Sequence, residues 1–482
     1  MGLDPGLRRL ALGTLLAAYP GPVPPDWAVD LLGEGLAGHT LFGTNIHDPA
    51  QVAATTAALR AGRPDVIVAI DEEGGDVTRL AHATGSPYPG NAALGAVDDV
   101  TLTRQVYAAI GAELAALGIT VDLAPTVDVN TADENPVIGT RSFGADPARV
   151  AAHSAAAVAG LQSAGVAACA KHFPGHGATV ADSHHELPTV DVPPAVLRER
   201  DLPPFAAVVD AGVRAIMTAH IRVPALTGDG PATFSRAVLV DLLRREYGFT
   251  GTVITDALEM KGAALAAGGV GPAAVRALAA GADLLCIGAK VDAGLVEQVV
   301  EEVVGAIQTG RLDRARVEEA AARAAALAAW RAGAVPTPTP DGLGYAAALR
   351  AVRVEGDVTG LTAPLVVQVH ATSTIAEGRV PWGLGPHLAG AEEIRAVAGE
   401  TAPEELRRLA GDRPIVLVGR HLHRLPGARE LVEALAAAHP VTVVEMGWPG
   451  DWRPAGARAF VTTYGASHAN GRAAAQVLGL TG

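Results

Sequence analysis

Val166-Ala-Ala-Cys-Ala170 runs directly into Lys171-His-Phe-Pro-Gly-His-Gly-Ala-Thr-Val-Ala-Asp-Ser-His-His185. The first five residues are small and apolar, the composition of a buried strand. The fifteen that follow carry one lysine, four histidines and one aspartate around Pro174, Gly175 and Gly177. Proline removes a backbone donor and glycine frees the backbone to turn, so the run reads as a loop. Titratable side chains gathered just past a buried strand need a chemical explanation. Lysine is also rare here: Lys171, Lys261 and Lys290 are the only ones among 37 Lys plus Arg. Its presence at 171 argues for a specific task rather than a solvated surface charge.

Outward from this stretch, short apolar runs alternate with longer alanine-rich helical patterns. The strand candidates are Gly13–Ala18, His39–Phe42, Val66–Asp71, Thr120–Ala124, Ala167–His172, Ala215–His220, Thr252–Asp256 and Asp283–Ile287. Helical patterns between them include Leu102–Leu117, Pro147–Ala164, Pro194–Ala211 and Ser235–Tyr247. Asp146 is the expected N-cap of the second, with Pro147 at its first position, where a missing N–H costs nothing. Parallel strands need helical crossovers, so this alternation predicts an α/β fold, a (β/α)₈ TIM-like barrel. Such barrels place their chemistry on the loops leaving the C-terminal strand ends.

The barrel pattern closes with a helix over Asp313–Ala332 and is followed by a Pro/Gly-rich linker. The expected organisation is a catalytic barrel over 1–333, a linker over 334–345 and a smaller α/β domain over 346–482. Strand candidates in the last part are Leu365–Val369, Pro414–Val418, Val441–Val444 and Ala459–Thr463, with a helix over Ala428–His439. It has no titratable cluster as dense as the barrel's, and His421 and His423 are its residues to watch.

A chain of 482 residues exceeds the usual size of one hydrophobic core, in keeping with two domains. Its net charge of −14 excludes nucleic acid or an anionic membrane as the main partner. Neither a secretory signal pattern nor an apolar run of about 20 residues is expected, so the cytoplasm is the default compartment. Cys169 and Cys286 lie in apolar runs and read as buried thiols. No Cys-x-x-Cys or His-Glu-x-x-His spacing occurs, and Pro174-Gly175 separates His172 from His176, so neither a metal nor another cofactor is expected.

The predicted strand ends carry Asp71, Lys171, His172, His220 and Asp256, while Arg141 follows the fourth strand and Arg79 follows the third. Charged donors and acceptors converging on one barrel face suit a ligand covered in hydroxyl groups.

These motifs resemble glycoside hydrolase family 3, and within it the β-N-acetylglucosaminidase branch. Lys171-His-Phe-Pro-Gly-His-Gly177 with Asp182-Ser-His184 is the most specific. Glu72-Glu-Gly-Gly75, Asn135-Pro-Val-Ile-Gly-Thr-Arg-Ser-Phe-Gly144 and Thr255-Asp-Ala-Leu-Glu-Met260 support it, in the family's order, between Leu10 and Ala332. The resemblance implies that Asp256 is the nucleophile and that Asp182 and His184 form the acid/base dyad. It implies that Asp71, Arg79, Arg141, Lys171 and His172 hold the sugar, and His220 is counted with them. Asp76 stands where the family's motif often carries arginine.

The implied activity is a retaining, exo-acting β-N-acetylglucosaminidase that releases terminal N-acetylglucosamine from small glycosides or recycled cell-wall fragments. Retaining glycosidases use one group as nucleophile and a second as acid then base. An imidazole titrating near ~6.5 can fill the second role near neutrality. The main alternative is a phosphorylase with the same nucleophile and dyad, phosphate replacing water as acceptor. A broader β-glycosidase and an inactive sugar-binding barrel are the others. His176 and His185 read as loop-shaping residues.

Overall fold

The computed structural model describes residues 3–288, 291–330 and 340–481. All eight expected barrel strands form, with ends shifted by a residue or two. They are β1 (Leu15–Ala17), β2 (Gly38–Leu41), β3 (Ile67–Ile70), β4 (Val121–Asp122), β5 (Ala167–Phe173), β6 (Ala215–Thr218), β7 (Thr252–Thr255) and β8 (Leu285–Cys286). Neighbours pair in parallel from β8 through β1 to β7, and a bridge between Ile254 and Leu284 closes the ring. Alternate residues point inward, so Leu16, Ile67, Ala69, Val121, Leu123, Ala167, Cys169, Ala215, Met217, Ile254 and Leu284 fill the barrel. A helix over Arg314–Ala329 adds Ala324, Leu327 and Ala328 to that core. The expected helix ran on to Ala332, but Trp330 is already extended, and residues 331–332 lie outside the described residues.

Asp146 caps its helix as expected, accepting from the Ala148 N–H. The helix expected over Pro194–Ala211 is two, Pro194–Arg200 and Pro203–Asp210. Pro203-Pro204 supplies no N–H to carry the first helix through. The helix over Ala237–Glu246 is wider than an α-helix and ends with Tyr247 N–H on the carbonyl of Leu242, five residues back.

The domain boundaries need correction. Glu73–Leu102 and Gly139–Gly144, expected inside the barrel domain, group instead with the residues from Pro340 onward. The long loops after β3 and β4 explain this. Asp76 Oδ1 accepts from the Ala466 N–H at 2.7 Å, Arg353 donates to the Ala96 carbonyl at 2.8 Å, and Asp99 pairs with Arg350 at 3.0 Å. Of the linker expected over 334–345, residues 334–339 lie outside the described residues, and a helix starts at Leu343.

This second unit holds a six-stranded sheet. Its strands are β9 (Arg353–Gly356), β10 (Leu365–Val369), β11 (Glu392–Ala396), β12 (Ile415–Gly419), β13 (Val441–Glu445) and β14 (Ala459–Thr462). The order is β11-β10-β12-β13-β14-β9, with only β9 antiparallel. The four apolar strands match expectation. β9 and β11 are mostly exposed edges whose charged residues conceal them in the sequence. The helix expected over Ala428–His439 spans Ala428–Ala436.

Candidate active site

Period-two alternation carries the inward rows of the barrel one step past the strands. Beyond Ala69 comes Asp71, beyond Cys169 comes Lys171, and beyond Ile254 comes Asp256. These three residues therefore rise from the core at the C-terminal strand ends. Lys171, buried within the end of β5 rather than in the following loop, donates to Asp71 Oδ1 at 2.6 Å. The Lys171 ammonium is buried in this pair, while the Asp71 side chain keeps partial exposure.

His172 is out of phase with that row, but β5 shifts register between Ala170 and Phe173. Its Nδ1 lies 2.7 Å from Asp128 Oδ2. Asp128, fully buried in the loop after β4, also accepts from the backbone N–H of His172 at 3.3 Å and of His176 at 2.7 Å. Burial opposes its ionisation, but the two histidines hold its carboxyl below the usual range. An ionised Asp128 makes Nδ1–H of His172 the donor and fixes the ring.

Asp256 follows β7, and its Oδ1 accepts from the Ala257 N–H at 2.8 Å. Burial works against the charged form. His220, His172 and His184 outweigh it and hold the carboxyl below its ordinary value. The group is thus a carboxylate at neutral pH, as a nucleophile must be.

His220, expected among the sugar-holding residues, has protein partners on both ring nitrogens. Ala219, not His220, continues the inward row of β6, and His220 is fully buried behind it. Its Nε2 lies 3.0 Å from the Ala257 carbonyl and must carry the proton; its Nδ1, 2.8 Å from Thr233 Oγ1, accepts. Burial lowers its pKa, in keeping with a neutral ring. Both nitrogens are occupied by protein, so His220 fixes the backbone beside Asp256.

Asp182 and His184 form a compact turn. Asp182 Oδ1 accepts from the His184 N–H at 2.9 Å and lies 2.6 Å from His184 Nδ1. This is an Asx turn, the side chain bonding its own backbone two residues on. Burial would raise the Asp182 pKa, but the bonds from His184 win and take it down to about 2. An ionised Asp182 draws the Nδ1 proton of His184 and fixes its tautomer. His184 also lies within electrostatic reach of both Asp256 and His220.

Arg79 and Arg141 belong to the second unit rather than the barrel. Arg141 makes a bidentate pair with buried Glu73 at 2.9 and 2.8 Å. Arg79 donates to the carbonyls of Ala376 at 2.8 Å and Glu377 at 3.4 Å. Asp76, the departure from the family's motif, accepts from Thr140 Oγ1 at 2.7 Å and from Arg420 at 3.2 Å, and Arg420 also binds Glu377 at 2.8 Å. His421 sits at φ +56°, and its Nδ1 accepts from the Trp448 N–H at 3.2 Å, which makes it part of a turn.

Asp128, Thr233, Ser183, Glu73 and Arg420 escaped the sequence reading. Ser183 and Glu73 lie inside the quoted motifs without a role read for them, and Asp128, Thr233 and Arg420 lie outside any motif.

The family model for the glycosyl hydrolase family 3 N-terminal domain matches residues 26–327. The chain belongs to glycoside hydrolase family 3. A family 3 β-N-acetylglucosaminidase from Paenibacillus sp. str. FPU-7 superposes with a TM-score of 0.88 at 33% identity, covering 99% of this chain and 97% of that one. β-Hexosaminidase A of Pseudoalteromonas piscicida is 36% identical over 331 residues, which is 63% of this chain and 55% of that protein. The β-hexosaminidase of Chromobacterium violaceum is 39% identical over 283 residues, covering 55% of this chain and 78% of that one.

Proposed function

We propose that this family 3 chain is a retaining, exo-acting β-N-acetylglucosaminidase that releases terminal N-acetylglucosamine from small glycosides or cell-wall fragments. The observation that carries the reading is an ionised Asp256 within electrostatic reach of a His184 whose Nδ1 is held by Asp182. Family membership and the β-N-acetylglucosaminidase that covers the whole chain support it.

Asp256 attacks the anomeric carbon from one face while His184 Nε2–H protonates the departing glycosidic oxygen. The bond to the leaving group breaks as the Asp256 ester forms. His184, now neutral at Nε2, then takes a proton from water, and the hydroxide equivalent displaces Asp256 with net retention. The Asp71–Lys171 pair and His172 hold the sugar hydroxyls.

The test is turnover of an aryl N-acetyl-β-glucosaminide followed by NMR of the first sugar formed. A β-anomer supports the reading, and an α-anomer ends it. The same assay with inorganic phosphate separates the acceptors. Free sugar at an unchanged rate supports water, whereas N-acetylglucosamine 1-phosphate would make the chain a phosphorylase.

A further inference from the structure

His176 is buried and lies outside the proposed chemistry, yet both of its ring nitrogens reach the segment that carries the dyad. Nδ1 lies 2.8 Å from Thr179 Oγ1, and Nε2 lies 3.1 Å from Ser183 Oγ. Thr179 Oγ1 also lies 3.0 Å from the His176 carbonyl, which can only accept. The threonine proton therefore goes to that carbonyl, Nδ1–H donates to Thr179, and Nε2 accepts from the Ser183 hydroxyl.

Ser183 is the residue between Asp182 and His184. Its side chain is buried, and its carbonyl accepts from the Gly262 N–H at 3.2 Å, just past β7. It is thus held at both ends, by His176 through its hydroxyl and by the Asp256-bearing side of the barrel through its carbonyl. The backbone of His176 is itself fixed, since its N–H donates to Asp128 Oδ1, the carboxylate that orients His172.

We propose that His176 and Ser183 are positioning residues that set where His184 presents its Nε2. Asp128 ties that position to the ring of His172. The inference rests on the acid/base reading of Asp182 and His184. A positioned acid/base contributes typically about 10²–10⁴-fold, and misplacement forfeits part of that.

Ser183→Ala deletes one hydroxyl. His176→Asn keeps an amide near the Nδ1 position and vacates Nε2, whereas His176→Gln returns an amide toward Ser183. For Ser183→Ala and His176→Asn, kcat/KM on the β-linked N-acetylglucosamine disaccharide should fall about ten-fold or more. On 2,4-dinitrophenyl N-acetyl-β-glucosaminide, whose leaving group needs little protonation, kcat/KM should fall far less. Azide, a nucleophile needing no base, should raise kcat on that substrate, and His176→Gln should recover most of the disaccharide activity. Equal losses on both substrates, or no loss on either, overturn the proposal. His184→Ala run alongside checks the dyad: if it shows no leaving-group dependence, the acid/base reading itself falls and the anchor's role with it.

Discussion

His184 Nδ1 and Asp182 Oδ1 lie 2.6 Å apart, and the same oxygen accepts the backbone N–H of His184. One carboxylate oxygen thus sets both the turn and the tautomer. Asp182→Asn keeps the shape but removes the charge that favours the imidazolium. The basic limb of the kcat/KM–pH profile should move to lower pH, because a less stabilised cation loses its proton sooner. Activity on the disaccharide should fall on the order of 10–100-fold, the lower part of the range for a positioned acid/base. An unmoved basic limb would contradict the pairing.

Asp128 gives a prediction about stability. Its folded pKa lies below the ordinary carboxylate value, so its stabilisation is complete above about pH 4 and is lost as pH falls through the folded value. Asp128→Asn should therefore be less stable than the parent at pH 7, by about 1–3 kcal/mol, and the gap should narrow below about pH 4. Urea unfolding at pH 7 and pH 3 measures both. A gap that widens in acid would reverse the sign assigned here.

His220→Phe separates support from sugar binding. With Ala257 no longer held, the Asp256 carboxylate loses its placement, and kcat should fall at least about ten-fold, a small part of the rate a nucleophile provides. KM should change little. A large rise in KM with kcat preserved would return His220 to the sugar-binding set.

Arg420 lies buried between Asp76 and Glu377. Arg420→Met strands two buried carboxylates and should destabilise the second unit by about 3–5 kcal/mol. Adding Asp76→Asn should recover part of that loss, a non-additivity expected of groups in one network. Thermal unfolding of the two single variants and the double variant reads it; strict additivity would break the network description.

The barrel was legible because two periodicities agree. Apolar alternation fixes the inward rows, and Asp71, Lys171 and Asp256 simply continue them past the strand ends. The pairing of Asp182 with His184 was legible because Asp182-Ser-His184 is a local turn. For His220 a strand end in the sequence suits either a ligand contact or a structural role, and only the parity of β6 places it behind the wall. The domain boundaries failed for a similar reason. Asp76 looks like part of the barrel's own loop until Ala466 and Arg420, far away in the chain, prove to be its partners. Edge strands β9 and β11 lack the buried apolar run that marks a strand.

The most direct test is covalent trapping at Asp256. A fluorinated N-acetylglucosaminyl fluoride that forms the glycosyl-enzyme quickly and releases it slowly should leave one sugar per chain. Peptide mass mapping should place that sugar on the Asp256 carboxylate, and Asp256→Ala should take up none. A sugar on any other residue, or turnover of the reagent with inversion and no adduct, would contradict the account.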